Sequence, residues 1–239
     1  MKTETIDYKD GALNLRGFLA YNEKASGKRP GVIVMPEVFG LTDHARIKAQ
    51  KLAELGYVAL AGDPHGNGTV FEGLQDAMKG AGPLMGDPAV ARNRMKATFD
   101  KLASLPQVDS SRIASIGFCM GGTLSLELAR AGAPLKGVVS FHGGLQTQRP
   151  AEPGSLKAKL LVCTGAEDPF VPPAQVTAFI EEVTKAKADW QVIIYSGTGH
   201  SFTNPDAAKA GVPGVAYNKS ADERSWKSMQ SFFEEIFGG

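Results

Sequence analysis

The stretch from residue 112 to residue 128 constrains the fold more than any other part of the chain. A short apolar run of strand length ends at Gly117, Cys119 follows two residues later, and Gly121 and Gly122 lead into a helical pattern. This is the spacing of the G-x-S-x-G nucleophile elbow, with cysteine in place of serine. The strand-to-helix turn of such an elbow is so tight that it needs small neighbours, and it holds the central side chain at the helix N-terminus. The pattern therefore predicts that Cys119 is a nucleophile; the alternative is a small buried cysteine that begins a helix.

Strand-like and helix-like segments alternate along the rest of the chain. Residues 3–9 and 13–21, joined by the turn dipeptide Asp10-Gly11, predict an antiparallel pair at a sheet edge. Further strands are predicted at 31–35, 57–61, 112–116, 135–141, 159–163 and 190–195, and helices at 43–55, 88–105, 120–130, 172–187 and 221–237. This alternation indicates a single α/β domain over residues 1–239, with a mostly parallel sheet and helices on both faces.

One long segment does not fit the alternation. Residues 69–88 carry scattered glycines and prolines among apolar side chains, without a clear period. Because this is long for a plain connection, we expect an irregular lid or active-site loop there.

Composition and charge exclude several classes of protein. The chain is 43% hydrophobic and 21% charged, which is ordinary for a soluble globular protein, and its net charge of +1 gives no basic surface for nucleic acid. Two cysteines do not suggest a disulfide framework, and we find neither a signal peptide nor an apolar run of transmembrane length. We therefore expect a cytoplasmic monomer or homodimer that acts on a small molecule, with no nucleic-acid or membrane partner.

Three polar residues that follow separate strands form a candidate catalytic triad. Cys119, Asp168 and His200 occur in the order nucleophile, acid, histidine. Because the carboxyl ends of parallel strands share one edge of the sheet, these side chains can converge there. A thiol with an ordinary pKa near 8.5 is mostly protonated at neutral pH, so it needs a base such as His200, whose tautomer Asp168 would fix. The alternatives are a turn or helix-cap role for Asp168 and a solvated loop position for His200.

The loop after the third strand supplies further candidates. A developing oxyanion needs two backbone N–H donors, and we expect them from Met120 and Val38. Glu37 lies at the mouth of a buried strand, where it is either solvated or functional. Phe39 and residues 69–88 are expected to line the substrate pocket.

The remaining histidines and the second cysteine have less specific surroundings. His65 and His142 are expected to be structural or pocket-lining residues, with His142 contacting substrate, and neither is expected to be a catalyst. His44 is expected on a helix surface. Cys163, inside a buried strand, is expected in the core.

These residues together resemble the dienelactone hydrolase family. The resemblance covers most of the chain and is carried by Met35-Pro36-Glu37-Val38-Phe39-Gly40, Gly117-Phe118-Cys119-Met120-Gly121-Gly122, Glu167-Asp168-Pro169 and Gly199-His200-Ser201-Phe202. It implies an α/β-hydrolase fold and no metal or organic cofactor. It also implies a Cys119–His200–Asp168 triad, oxyanion donors at Met120 and Val38, and a glutamate, Glu37, that contacts the cysteine and helps to form its thiolate.

The chain departs from the family where the substrate carboxylate is bound. Authentic dienelactone hydrolases have an arginine four residues after the catalytic histidine, where this chain has Asn204, which we expect to contact substrate. They have another in the segment before the helix that precedes the elbow, yet no arginine lies between Arg46 and Arg92. Lys79 is a point charge and does not replace a bidentate guanidinium. These differences predict a substrate other than the anionic dienelactone.

The sequence thus predicts a cysteine-dependent hydrolase of small carboxylic esters or lactones, similar to carboxymethylenebutenolidase, that works through an acyl-enzyme on Cys119. One alternative is an acyl or thioester transferase, in which another nucleophile replaces water. The other is a non-catalytic ligand-binding or thiol-sensing protein, which would have no need of His200 and Asp168.

Overall fold

One eight-stranded sheet forms the centre of the molecule in the computed structural model, which describes residues 1–238. The strands are β1 (Lys2–Asp10), β2 (Leu13–Tyr21), β3 (Arg29–Met35), β4 (Val58–Ala61), β5 (Val108–Phe118), β6 (Gly137–Phe141), β7 (Lys159–Gly165) and β8 (Trp190–Tyr195). The helices are α1 (Asp43–Glu54), α2 (Leu74–Gly86), α3 (Pro88–Ala103), α4 (Met120–Arg130), α5 (Pro173–Lys185) and α6 (Lys219–Phe237), with a 3-10 turn at Ala207–Ala210. In this part of the chain, no helix combines the length and apolar character needed to cross a membrane.

The strand order is β1-β2-β4-β3-β5-β6-β7-β8. The β1–β2 hairpin pairs antiparallel with β4, and every pair from β4 through β8 is parallel. Parallel strands that are buried on both faces read as continuous apolar runs, and Val32–Met35 of β3 is fully buried. The predicted mostly parallel sheet with an antiparallel N-terminal edge is confirmed.

Helices cover both faces of the sheet. Val32 and Val34 of β3 pack in one hydrophobic core with α1 and α6, whereas Ile33 and Met35 pack in the other core with α3, α4 and α5. This division follows the two-residue alternation of side chains along a strand. Because the chain crosses from face to face, the strand-to-helix loops gather at the carboxyl edge of the parallel strands, where ligands bind in sheets of this kind.

All eight predicted strands are present, with shifted ends. β5 begins at Val108, four residues before the predicted start, because Arg29 and Pro30 of β3 pair with Val108 and Asp109 before a register shift. α6 begins at Lys219, where the Asn218 side chain accepts a hydrogen bond from the Ala221 backbone N–H. These differences leave every residue of the candidate triad at its predicted strand end.

The prediction of irregular structure over residues 69–88 is wrong. The segment contains α2, which begins after Gly73 and includes Pro83 in its last turn. Its buried side chains are Ala77, Ala81 and Leu84, and their three- to four-residue spacing matches one helix face. Glycines and a proline lower intrinsic helix propensity, so packing of this narrow face stabilises a helix that local propensity does not favour.

Candidate active site

Cys119 occupies a strained turn between β5 and α4. Its backbone has φ 51° and ψ −121°, in the positive-φ region that non-glycine residues rarely adopt. A Cβ atom at Gly117 would lie 1.9 Å from the Gly121 carbonyl oxygen, and one at Gly121 would lie 2.2 Å from the Met35 carbonyl oxygen. Only glycine fits at these two positions, so the elbow predicted from the sequence is present, with a half-buried thiol at the N-terminus of α4.

The structure brings Cys119, His200 and Asp168 together. Asp168 follows β7 and His200 follows β8, and His200 Nδ1 lies 2.8 Å from Asp168 Oδ2. The other carboxylate oxygen of Asp168 accepts a hydrogen bond from the Phe170 backbone N–H at 2.9 Å. The side chains of His200 and Cys119 interact with each other and line the same cavity. The arrangement links a thiol, an imidazole and a buried carboxylate in series.

The neighbours of His200 control its charge. Burial lowers the pKa of His200, but the hydrogen bond that its ring donates to Asp168 and its interaction with Cys119 outweigh burial and raise the pKa to about 10. Near neutral pH the ring is therefore an imidazolium.

Two backbone N–H groups at the edge of the cavity have no protein acceptor among the described residues. Met120 is the first residue of α4, and Val38 lies in the loop after β3. Within residues 1–238, neither N–H donates a hydrogen bond to another protein group. His65 holds the loop in place, because its Nε2 lies 2.8 Å from the Val38 carbonyl oxygen. His65 therefore has the structural role that was one of its two predicted roles.

Glu37 is buried beside the triad and is bonded to Asn204. Its carboxylate oxygen Oε2 accepts a hydrogen bond from Asn204 Nδ2 at 2.6 Å. Burial raises the pKa of Glu37, although the nearby polar groups of Ser201 and Asn204 and the charge on His200 oppose that rise. Both Glu37 and Asn204 line the cavity above Cys119. Asn204 thus contacts Glu37, the carboxylate that the sequence indicated as a candidate functional residue.

His44 does not lie on a helix surface, and this prediction is wrong. Its side chain is 7% exposed and packs edge-on against the ring of Phe118, with a centroid distance of 4.7 Å. Burial lowers the pKa of His44 to about 3, so the ring is neutral. The inward face of α1 carries His44 and the buried Lys48, which pairs with Asp222 at 2.8 Å.

His142 is also placed differently from the prediction that it contacts substrate. The residue is fully buried and is not among the residues that line the cavity. Its Nδ1 accepts a hydrogen bond from the Cys119 backbone N–H at 3.1 Å, and its Nε2 lies 2.8 Å from Thr203 Oγ1. The ring follows the end of β6 and lies inside the protein, beneath the Cys119 backbone.

A cavity of about 1560 Å³ opens above Cys119 and His200. Its apolar lining includes Phe39, Ile47, Leu74, Met78, Met85, Phe170, Val212 and Val215. The ring of Phe170, 52% exposed, stands edge-on to His200 with a centroid distance of 4.9 Å. Phe39 and the segment with Met78 and Met85 line the pocket as predicted. Phe170 was not predicted there, although its position two residues after Asp168 was an available signal.

The charged part of the cavity lining is more acidic than basic. It contains six carboxylates (Glu37, Asp43, Glu72, Glu127, Asp206 and Asp222), three lysines (Lys48, Lys51 and Lys209) and no arginine. Glu127 is paired with Arg92 and Arg130, neither of which lines the cavity. Within the described part of the chain, no guanidinium is available in this cavity to hold a carboxylate.

The sheet order and the site define an α/β hydrolase, with Cys119 after β5, Asp168 after β7 and His200 after β8. The sequence profile of the dienelactone hydrolase family matches residues 15–237. The chain belongs to the dienelactone hydrolase family, as the motifs indicated.

Three similar proteins illustrate the relationship. A crystal structure of a dienelactone hydrolase-like promiscuous phosphotriesterase, P91, from metagenomic libraries superposes with a TM-score of 0.95 at 44% identity, covering 98% of each chain. A probable 2-oxo-3-(5-oxofuran-2-ylidene)propanoate lactonase of Bradyrhizobium sp. is 30% identical over 84% of this chain and 86% of its own length. A putative carboxymethylenebutenolidase of Saccharolobus solfataricus is 28% identical over 99% of both chains.

Proposed function

We propose that this hydrolase cleaves small carboxylic esters or lactones through an acyl-enzyme on Cys119. The observation that carries the proposal is the connected series Cys119–His200–Asp168 at a strained elbow, with the thiol facing a large cavity. A nucleophile, a base and a group that orients the base are the parts that covalent acyl transfer requires.

In the proposed first half-reaction, the thiolate of Cys119 attacks the carbonyl carbon. The N–H groups of Met120 and Val38 hold the oxyanion of the tetrahedral intermediate. When that intermediate collapses, the bond to the leaving oxygen breaks and protonated His200 donates its proton to that oxygen. The products are an alcohol, or the opened end of a lactone, and a thioester on Cys119.

In the second half-reaction, His200 acts as a base. Formation of the thioester removes the negative charge of the sulfur, one of the interactions that raise the pKa of His200. The ring, now neutral, takes a proton from water as the water oxygen attacks the thioester carbonyl. Collapse of this intermediate breaks the carbon–sulfur bond, releases the acid and restores the thiolate beside the imidazolium. Asp168 holds the ring throughout.

Glu37 is proposed to regulate the thiol. Its buried carboxylate interacts electrostatically with His200 and lies in the same cavity as Cys119. A carboxylate near the sulfur opposes the negative charge of the thiolate, so displacement of the carboxylate by substrate would increase the fraction of thiolate when attack begins. The hydrogen bond from Asn204 fixes its resting position.

The acyl-enzyme itself provides the test of the mechanism. We expect intact-protein mass spectrometry of an acid-quenched reaction with an activated ester to show a species heavier by one acyl group. The added mass should map to the peptide that contains Cys119 and should be absent from Cys119→Ala. Rapid turnover without any acylated species, even with a slowly hydrolysed acyl group, would contradict covalent catalysis through this residue.

The cavity lining supports a neutral substrate. Carboxylates outnumber lysines in it, no arginine lines it, and Met78, Met85 and Phe170 expose apolar surface towards it. An anionic substrate would meet a like-charged wall, whereas an apolar group would gain burial against the methionines and the aromatic ring.

We therefore expect neutral esters and lactones to have kcat/KM values about 10-fold or more above that of a dienelactone that carries a carboxylate. Steady-state kinetics on matched neutral and anionic substrates measures this ratio. In Asn204→Arg, an added guanidinium near the triad should shift the ratio towards the anionic substrate. A wild-type preference for the anionic dienelactone would overturn the substrate argument.

A second candidate activity is hydrolysis of neutral phosphotriesters. The observation that favours it is the 44% identity with a structure described as a promiscuous phosphotriesterase. A neutral aryl phosphotriester belongs in the same substrate panel. Addition of an alcohol or a thiol to these assays distinguishes hydrolysis from the transferase alternative, because a transferase would divert the acyl group to the added acceptor.

A further inference from the structure

His142 is a polar side chain next to the triad that the proposed mechanism does not use. It is fully buried and its backbone has φ 42°, an uncommon conformation for a histidine. Its backbone N–H donates to the Cys163 carbonyl oxygen at 2.8 Å, which fixes the residue at the end of β6. A strained and buried polar residue at this position calls for a physical account.

One ring nitrogen of His142 contacts the nucleophile's own backbone. The Cys119 N–H donates to the Phe141 carbonyl oxygen at 3.0 Å and also to His142 Nδ1 at 3.1 Å. Because a backbone N–H is a donor only, Nδ1 must be the unprotonated nitrogen of the ring. The ring therefore carries its proton on Nε2.

The other ring nitrogen contacts the loop that carries the catalytic histidine. His142 Nε2–H donates to Thr203 Oγ1 at 2.8 Å, and Thr203 is three residues beyond His200. The ring of His142 also packs edge-on against the rings of His200 and Phe202, with centroid distances of 5.2 and 5.0 Å. A single side chain thus joins the elbow to the histidine loop.

We propose that His142 is a positioning residue whose neutral ring bridges the Cys119 backbone and the Thr203 hydroxyl, and thereby sets the geometry between the thiol and His200. This inference rests on the proposed catalytic role of Cys119 and His200. The Cys119 thiol and the His200 ring come from separate loops, after β5 and after β8, so the distance between them depends on non-covalent contacts between those loops. A small misalignment of reacting groups is costly to the rate of a chemical step.

The surroundings of His142 keep the bridge intact near neutral pH. Burial lowers the pKa of His142 well below its ordinary value, and the positive charges of His200 and Lys48 and a protonated His44 would act in the same direction. The neutral ring is the form that accepts from the Cys119 N–H. Protonation of the ring would turn Nδ1 into a donor, which would then face the Cys119 N–H, itself a donor.

Thr203→Val tests the bridge without touching the triad or His142. Valine keeps the shape of threonine and removes the acceptor of the His142 hydrogen bond, together with the longer 3.4 Å contact of the hydroxyl with His44 Nε2. We expect the acylation rate, measured as a pre-steady-state burst with an activated ester, to fall about 10- to 100-fold. KM should change little, and Thr203→Ser, which restores a hydroxyl, should recover most of the rate.

Two further variants separate positioning from general destabilisation. Thr98→Val removes another fully buried threonine hydroxyl. Thr98 lies on α3, away from the triad, and its hydroxyl is hydrogen-bonded to Tyr8 of β1. This change should lower stability without lowering the rate per folded molecule. In His142→Asn, the amide oxygen substitutes for Nδ1 but the shorter side chain does not reach Thr203. Its rate should match that of Thr203→Val, and the double variant should be no slower than either single variant, because both remove one bridge.

A substrate-free assay makes the inference independent of the hydrolase proposal. Alkylation of Cys119 by iodoacetamide at neutral pH reports the reactivity of the thiol beside His200, and it should slow in Thr203→Val and His142→Asn but not in Thr98→Val. If the alkylation rates follow this pattern but the protein hydrolyses no ester, the proposed function is refuted and the bridge is supported. Wild-type rates in Thr203→Val, or losses in rate that follow the melting temperature across all variants, would overturn the bridge.

Discussion

Cys119→Ala is expected to lower ester turnover by at least about 10⁴-fold, since it removes the nucleophile and the site of the thioester intermediate. The fold should remain intact, because alanine keeps a Cβ in the same strained backbone conformation and the thiol is only half-buried. The measurement is kcat/KM on an activated neutral ester, together with the melting temperature of both proteins.

Cys163→Ala is the matched control for this change. Cys163 is the second of the chain's two cysteines and lies fully buried in β7, where burial raises the pKa of its thiol to about 12. A thiol of this kind is unreactive at neutral pH. We expect the control to lose some stability but to keep its turnover per folded molecule. Equal activity of Cys119→Ala and wild type would refute the proposed mechanism.

His200→Ala is expected to reduce turnover by about 10⁴-fold or more, whereas His142→Ala should reduce it by only about 10- to 100-fold. His200 moves the proton in both half-reactions, so its loss removes both the acid and the base. His142 acts on the alignment of the other two groups, so its loss leaves the chemistry possible but slower. Steady-state and burst kinetics of both variants measure the difference.

One result would contradict the different roles proposed for His200 and His142. If both changes abolished turnover to the same extent in folded protein, His142 would belong with the reacting groups and the proposed division of roles would be wrong. Circular dichroism and melting temperatures show whether each variant is folded, which matters because His142 fills a fully buried position.

The sheet and the order of the triad follow from the sequence because they depend on local patterns. A short apolar run that ends in a glycine-rich turn places Cys119 at a strand end, and strand patterns also precede Asp168 and His200. Parallel strands with short loops bring their carboxyl ends to one edge, so three residues far apart in sequence meet there. The elbow is also readable because its glycines are required by contacts to backbone atoms.

Residues 69–88 show where local patterns fail. Glycines and Pro83 make an isolated helix unfavourable, so the sequence indicates irregular structure. The helix forms because Ala77, Ala81 and Leu84 pack against the body of the protein, and the sequence does not reveal that docking surface. Tertiary packing overrides propensity in this segment.

The orientation of α1 was unpredictable for a related reason. The buried face of α1 carries Ala45, Ala49 and Leu52, but His44 and Lys48 also point inward, whereas the apolar Ile47 is 49% exposed. Lys48 is stabilised there by Asp222, 174 residues away in the sequence. An ion pair over that separation leaves no periodic signal, and the same is true of the hydrogen bonds that His142 makes with Thr203 and Cys119.

The α2 helix has a consequence for how this enzyme can diversify. The groups proposed to do chemistry are fixed to strand ends, whereas a large part of the cavity wall comes from one helix that exposes the flexible side chains of Met78 and Met85. Mutations in that helix can reshape the wall without moving the thiol or the imidazole. Selection for new substrates can therefore change α2 while the groups at the strand ends are inherited unchanged. This is one physical route to the range of activities found among proteins with this architecture.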